Sequence, residues 1–204
     1  TAAQPKDLDA SEIEVRLGAT WIDQEYIQQF MYETFHTPPY LQRSIEVHYT
    51  PFTAEWQVTG KNSVSRTDVA AYTTYGTGRA NAYKILEDSL NLRDVRIYDT
   101  VEDADGKERR VLNAKETTLA AQKQQAIRDA FRDWIWKDPE RRQALVYRYN
   151  EEMNSTRPRE YDGSHITFSG MNPAITLREH QKSAIAHVLY GGNTLLAHEV
   201  GAGK

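Results

Sequence analysis

The sequence contains no cysteine, so disulfide bonds and thiolate metal sites are excluded. No apolar run reaches about 18 residues, and we therefore expect no helix that spans a membrane. Residues 1–12 are polar and lack the basic start and apolar core of a secretion signal. Together these absences favour a globular protein of the cytoplasm that has no membrane partner.

The chain also has no excess of positive charge. Its 204 residues carry a formal net charge of -4 at pH 7, so no overall basic field attracts nucleic acid, and DNA binding would depend on local patches. The six histidines show no metal-ligand spacing. The acidic residues Asp99, Glu102, Asp103 and Asp105 lack the pattern of a calcium loop, so we assign no metal.

The first half of the chain predicts short elements of both kinds. A polar, extended lead-in includes a short strand at residues 13–17. Asp23 can cap a helix whose apolar residues at positions 26, 27, 30 and 31 share one face. Alternating apolar residues at 45, 47 and 49, and again at 56 and 58, predict two strands joined around Pro51.

The following residues continue this mixed pattern up to residue 160. A helix is expected over residues 80–92. The Asp105-Gly106 turn dipeptide predicts a β-hairpin between Val95 and Val111. A long helix runs from about Lys115 to Trp136, and Pro139 starts another. The turn-rich stretch 155–164 predicts a linker. We therefore expect an α+β domain over residues 1–160, in which small β-hairpins pack with several helices.

The end of the chain predicts a different arrangement. Thr176 can cap a helix over residues 177–190, which Gly191-Gly192 ends. Residues 194–197 form the short apolar run that is typical of a buried parallel strand. The heptad HEVGAGK, residues 198–204, follows. A helix, a short strand, a glycine-containing loop and a lysine come in the order that builds a phosphate-binding loop.

The chemistry of such a loop is direct. Consecutive backbone N–H groups face the phosphate oxygens, and Gly201 and Gly203 permit the required backbone conformations. Lys204 would reach the terminal phosphates. The heptad departs from the pattern Gly-x-x-x-x-Gly-Lys because His198 occupies the first glycine position. Taken alone, it is also compatible with a simple surface loop.

Leu177-Arg178-x-x-Gln181 lies one helix before this loop and resembles the Q-motif of superfamily two helicases and translocases. The loop itself resembles that of the Swi/Snf family, and the resemblance covers residues 176–204. It implies a RecA-like α/β domain whose first helix–strand–P-loop elements are residues 161–204. It also implies bound ATP, with magnesium held by a Ser or Thr after the lysine. The implied adenine ligands are Arg178 and Gln181, and the implied phosphate ligands are Glu199, Val200, Gly201, Ala202, Gly203 and Lys204.

A broader resemblance extends over the rest of the chain. The segments LGATWI, TAEWQVTG, YGTGRANAYKILEDSLNLRDVRIYDT and MNSTRPREYDGSH look like large proteins of bacterial mobile elements, which join an adenine-specific DNA methyltransferase to a Swi/Snf-like helicase. No methyltransferase motif is present here. The resemblance implies a piece of a longer DNA helicase or translocase, with residues 1–160 as its accessory domain. Because the downstream ATPase motifs are missing, we expect this piece neither to hydrolyse ATP nor to bind ATP and magnesium tightly.

Five arginines are candidates for contacts to DNA. Arg79 follows the turn YGTG and precedes a predicted helix, where an anion can bind. Arg128, Arg132, Arg141 and Arg142 lie near two tryptophans on the predicted helices. Acidic residues alternate with these arginines, so a solvated, ion-paired helix face is the alternative. A second functional hypothesis is that residues 1–160 are a non-catalytic DNA- or protein-recognition module adjoining an ATPase.

Overall fold

The structure is a computed structural model that describes residues 5–103, 107–156, 160–172, 174–198 and 201. The chain divides into two compact units. The large unit is Lys6–Ser155, and the small unit contains the described residues from 160 onward. The boundary lies at Ser155, where the sequence predicts the linker of residues 155–164 to begin.

The large unit has an α+β fold, as predicted. Its helices are α1 (Gln24–Thr34), α2 (Ala82–Leu90), α3 (Ala114–Ile135) and α4 (Pro139–Glu152), with a π-helical turn at Ala70–Thr74. Its strands are β1 (Val47–Thr50), β2 (Glu55–Val58), β3 (Tyr98–Glu102) and β4 (Glu108–Leu112). The strands form two separate antiparallel hairpins, β1–β2 and β3–β4. Among the described residues, no helix combines the length and the apolar character needed to cross a bilayer.

In the large unit, side chains that immediately precede three of the helices stabilise their first turns. The side chains of Asn81, Asn113 and Asp138 each accept a hydrogen bond from a backbone N–H in the first turn of α2, α3 and α4. Pro139 takes the first position of α4, where the missing N–H costs nothing. Asp23 precedes α1 but makes no such bond, because its carboxylate pairs instead with Arg148 at 2.5 Å.

The first hairpin confirms the alternation that predicted it. Val47 pairs with Val58, and Tyr49 pairs with Trp56. Val47, Trp56 and Val58 are buried, because inward-facing residues recur at every second position of a strand. The Tyr49 and Trp56 rings pack with their centres 4.7 Å apart.

The core joins α1, α2 and α3 through aromatic side chains. Phe30 of α1 packs edge-on against Phe131 of α3 with the ring centres 5.1 Å apart. Phe35 similarly meets Tyr83 of α2 at 5.3 Å. Such edge-to-face pairs each contribute about 1 kcal/mol beyond the area that they bury.

Residues 13–17 correct one sequence expectation. They form no strand, although Ile13, Val15 and Leu17 are buried in the alternating pattern that predicted one. Within the described residues no strand lies beside them to complete a ladder. The segment is therefore held by burial of its side chains in the core rather than by backbone pairing.

The second hairpin begins later than expected. Val95 and Ile97 were predicted as strand residues, but they precede β3 and are buried. Their backbone N–H groups donate to the side chains of Gln124 and Thr117 on α3, at 3.4 and 3.0 Å. The pairing starts at Tyr98 with Leu112. The predicted turn at residues 105–106 lies outside the described residues.

The small unit contains one helix, α5 (Glu179–Gly191). Its N-cap is Arg178 rather than the predicted Thr176, and it ends as expected at Gly192, whose φ is 80°. Residues 194–197 form no strand. A parallel strand requires a neighbour for its backbone hydrogen bonds, and no strand is present in residues 160–172, 174–198 and 201 to supply one. A RecA-like sheet is accordingly not seen in these residues.

Candidate functional site

The start of α5 fixes the two residues predicted to contact adenine. The Gln181 side-chain oxygen accepts a hydrogen bond from the backbone N–H of Arg178 at 2.9 Å. The Gln181 backbone N–H donates in return to the Arg178 carbonyl at 3.0 Å. Gln181 thereby satisfies an N–H at the helix terminus that would lack an intrahelical partner. The side chain of Arg178 is exposed to solvent.

A cavity of about 460 Å³ lies beside this helix start, within the small unit. Gln181 and His198 supply its polar edge, and His198 is the first residue of the predicted phosphate-binding heptad. The rings of His180 and His198 meet edge-on with centres 5.6 Å apart. The structure therefore brings the predicted adenine-binding glutamine and the first residue of the loop to one cavity. The apolar lining residues are Leu177, Ala184, Ile185, Val188, Leu189 and Leu196.

Beyond His198, the structure describes one residue of the loop, Gly201. Its φ is 88°, in the left-handed region that only glycine adopts without strain. A Cβ atom added to Gly201 would meet no atom within 4 Å, so the backbone conformation, and not crowding, requires glycine. The predicted phosphate ligands Glu199, Val200, Ala202, Gly203 and Lys204 lie outside the described residues.

The packing around α5 leaves part of its surface open. Tyr161 stacks on His187 with ring centres 4.4 Å apart, and the Lys182 carbonyl lies against Gly163, where a Cβ would come within 2.0 Å. Val188 and Leu189 remain at least half exposed. The helix therefore carries apolar surface that the described residues do not cover.

Arg79, a predicted DNA contact in the large unit, forms a surface ion pair in which both side chains are nearly half exposed. Its guanidinium binds Asp99 at 2.7 Å and donates to the Tyr98 carbonyl at 2.9 Å. The hydrogen bonds from Arg79 and Asn113 hold the pKa of Asp99 below its usual value. Arg79 thus ties the turn before α2 to strand β3.

Arg141, another predicted DNA contact, is buried in the fold, which corrects the prediction that it lies on a solvent-exposed helix face. Its guanidinium donates to the Ile135 carbonyl at 3.0 Å and the Trp134 carbonyl at 2.7 Å, and burial lowers its pKa. A phosphate cannot approach a buried guanidinium that already donates to the backbone. Trp134 is equally committed, since its ring N–H donates to Glu33 at 2.6 Å.

The remaining three candidates fall into two places. Arg142 of α4 is exposed and lines a groove that also contains Asp7, Asp9 and Glu151. Arg128 and Arg132 of α3 line a different groove. The five arginines therefore do not form one continuous patch.

Sequence reasoning missed Arg16, which lines the same groove as Arg128 and Arg132. The residue precedes α1, far along the chain from α3, and no local pattern could have joined it to that helix.

The sequence predicted no metal site. In the parts of the chain that the structure describes, no group of three or more His, Asp or Glu residues could hold a metal ion.

Comparison with known proteins places the large unit in a family. Residues 16–155 match a family model described as a domain of unknown function, DUF8437. This span coincides closely with the large unit, Lys6–Ser155. No curated protein and no solved structure matches the chain.

Proposed function

Because the chain belongs to the DUF8437 family and carries a Q-motif-like helix start followed by HEVGAGK, we propose that it serves an ATP-dependent DNA helicase or translocase. In this proposal the small unit opens a RecA-like nucleotide site, and the large unit is an accessory domain. The protein acts in the cytoplasm, on DNA, with other domains of the same polypeptide as partners. A DNA methyltransferase joined to the same protein is part of the proposal.

The shared cavity of Gln181 and His198 is the observation that carries the proposal. A purine base is flat and largely apolar on its faces, with polar atoms at its edge. The cavity beside α5 has the same character, since apolar side chains line it and Gln181 stands at its rim. The side-chain amide of glutamine combines a donor with an acceptor, as the adenine edge requires, and the Gln181 oxygen that accepts from the Arg178 N–H has a second lone pair.

The backbone of Gly201 supports the same site. A loop that wraps a phosphate turns its N–H groups inward, and such turns use left-handed residues. Gly201 has this conformation, with φ of 88°. Lys204 would then place its ammonium near the terminal phosphates, and the loop would supply backbone N–H groups to the phosphate oxygens.

The open apolar side of α5 also fits the proposal. In α/β ATPase domains, helices pack on a central parallel sheet and bury one apolar face against it. Tyr190 and Leu195, which do not line the cavity, are exposed in the small unit and would lie against such a sheet. Exposed apolar patches of this kind mark surfaces that another element covers.

The test is ATP hydrolysis by the natural full-length protein, with and without duplex DNA. We expect DNA to stimulate hydrolysis and Lys204→Ala to abolish it. Gln181→Ala should raise the KM for ATP and remove the preference for ATP over GTP, because the glutamine reads the adenine edge. Lys182→Ala removes a neighbouring positive charge of α5 and serves as the matched control, with unchanged activity.

Two results would contradict the proposal. One is hydrolysis that responds neither to DNA nor to Lys204→Ala. The other is a Gln181→Ala protein that still prefers ATP over GTP. The first would favour the alternative, in which the large unit is a non-catalytic recognition module for DNA or protein, and the second would contradict the adenine-binding role of Gln181.

A further inference from the structure

A groove runs beside α3 in the large unit. Arg128 and Arg132 are four positions apart in α3, which places them on one side of the helix, and Trp136 follows its last residue. These three residues line a cavity of about 650 Å³ together with residues of the segment 10–17, among them Arg16. The groove therefore presents guanidinium groups from two distant parts of the chain.

These arginines lack strong internal partners. Within the described residues, no carboxylate lies within ion-pair distance of Arg16 or Arg128. Arg132 pairs only with Asp129, at 3.4 Å, and both side chains are more than half exposed. Such an exposed pair contributes little stability and is readily exchanged. Arg141 differs from these arginines, because it is buried and donates to two backbone carbonyls.

The charge of the groove is positive in a chain whose net charge is -4. Three arginines line it, and Glu14 is the one acidic residue among its lining side chains. The other groove beside α4 has the opposite balance, with Arg142 facing Asp7, Asp9 and Glu151. The local excess of positive charge is therefore a property of the α3 groove and does not follow from composition.

The side chains of the groove indicate the kind of anion. An α-helix rises about 1.5 Å per residue, so the Cα atoms of Arg128 and Arg132 are about 6 Å apart along the axis, and the two side chains can bind separate phosphates. The planar guanidinium fork also matches a phosphate group with two parallel hydrogen bonds.

We infer that the groove formed by Arg16, Arg128 and Arg132 binds the phosphate backbone of duplex DNA. Guanidinium groups bind phosphates with two parallel hydrogen bonds, and duplex DNA is the phosphate polymer on which the proposed translocase acts, so this choice of partner rests on the proposed function. The inference goes beyond the proposed ATPase, because it concerns the large unit and requires no nucleotide. The groove would hold the duplex without reading its sequence, since phosphate contacts carry no base information.

The test is fluorescence anisotropy of a labelled duplex titrated with the 204-residue chain, without nucleotide, at salt concentrations from about 50 to 200 mM. We expect binding that weakens steeply with salt. The double variant Arg128→Ala with Arg132→Ala should lower the affinity about tenfold or more and reduce the slope of log K against log salt by about 2. Arg16→Ala should reduce the slope by about 1.

Arg142→Ala is the matched control, since it removes an exposed arginine from the acidic groove and should leave binding unchanged. A urea midpoint equal to that of the wild type shows that each variant is folded. Three outcomes would overturn the inference: no binding at low salt, equal loss with Arg142→Ala, or an acidic peptide that competes as well as duplex. Because no ATP is present, failure here leaves the proposed ATPase untouched, and loss of ATP hydrolysis leaves the groove untouched.

Discussion

The guanidinium carbon of Arg141 lies 3.5 Å from the centre of the Trp134 ring. The same guanidinium donates to the carbonyls of Trp134 and Ile135 in the last turn of α3. Carbonyls at a helix C-terminus lack intrahelical partners, and a nearby arginine can satisfy them. Arg141 of α4 therefore closes the end of α3 and fixes the connection between the two helices.

Arg141→Ala should destabilise the protein by about 3 kcal/mol. Each hydrogen bond from a charged group contributes about 1.5–3 kcal/mol, and the contact with the Trp134 ring adds to this. Urea unfolding followed by circular dichroism measures the change. Arg142→Ala, one residue further along α4 and exposed, should shift stability by less than about 0.5 kcal/mol. Equal stability of the two variants would show that Arg141 does not hold the helices.

For two glycines in the turn YGTG, we predict opposite effects of an alanine substitution on stability. A Cβ on Gly76 would lie 1.9 Å from the Ala71 carbonyl oxygen and 2.7 Å from the Ala82 nitrogen, and both are backbone atoms that cannot move freely. A Cβ on Gly78 would meet nothing within 4 Å. We expect Gly76→Ala to cost about 3 kcal/mol and Gly78→Ala to be neutral or stabilising by about 0.5 kcal/mol.

Thermal unfolding of these two variants and of the wild type tests both predicted stability changes. The midpoint should fall for Gly76→Ala and stay or rise for Gly78→Ala. A Gly76→Ala protein as stable as the wild type would mean that the turn can open, and the close approach of the π-helical turn to α2 would then not be required.

Glu87 of α2 holds the first hairpin through its carboxylate. It accepts hydrogen bonds from the Val58 N–H at 2.9 Å and from the Lys61 ammonium at 2.6 Å. Burial favours the neutral carboxyl, but these hydrogen bonds and the positive charges of Lys61 and Lys84 outweigh it. The pKa of Glu87 is therefore lower in the folded state than its usual value.

This lowered pKa predicts a pH dependence with a definite sign. The ionised carboxylate stabilises the fold fully above its unfolded pKa of about 4.3, and the contribution is lost as the pH falls towards the lower folded pKa. Glu87→Gln should therefore cost about 1.5–3 kcal/mol at neutral pH, and the cost should shrink in acid. Urea unfolding from about pH 7 down to about pH 2.5, below the unfolded pKa, measures it, with the exposed Glu55→Gln as control. A cost that does not change with pH would contradict this role.

The elements that the sequence predicted correctly are those encoded by local patterns. Pro139 marks the start of α4 through chemistry within one turn, and alternation marks β1 and β2. The errors occur where pairing partners decide the outcome. Residues 13–17 alternate like a strand but have no strand beside them, and the apolar run 194–197 likewise finds no sheet among the described residues. The periodicity of apolar residues does not show whether a second strand is available for backbone hydrogen bonding.

The candidate sites also differ in whether their residues are close together in the sequence. Gln181 and His198 could be placed near each other because helix and loop are consecutive in the chain. The groove at Arg16, Arg128 and Arg132 could not be predicted, since it depends on a long-range contact. Arg141 looked like its exposed neighbours in the sequence, because a buried arginine is recognised only by the carbonyls that it reaches in three dimensions.

The conformation of Gly201 gives the last prediction. For a residue with a Cβ, the left-handed backbone conformation costs about 1–2 kcal/mol. In Gly201→Ala we therefore expect the loop conformation that binds phosphate to be about 5- to 30-fold less populated. The apparent affinity for ATP falls by the same factor, and we expect the KM for ATP of the full-length protein to rise accordingly. Gly170→Ala is the matched control, because Gly170 has a φ of 89° and equally open surroundings but lies outside the loop. An unchanged KM in Gly201→Ala, or an equal rise in Gly170→Ala, would show that the left-handed glycine does not serve phosphate binding.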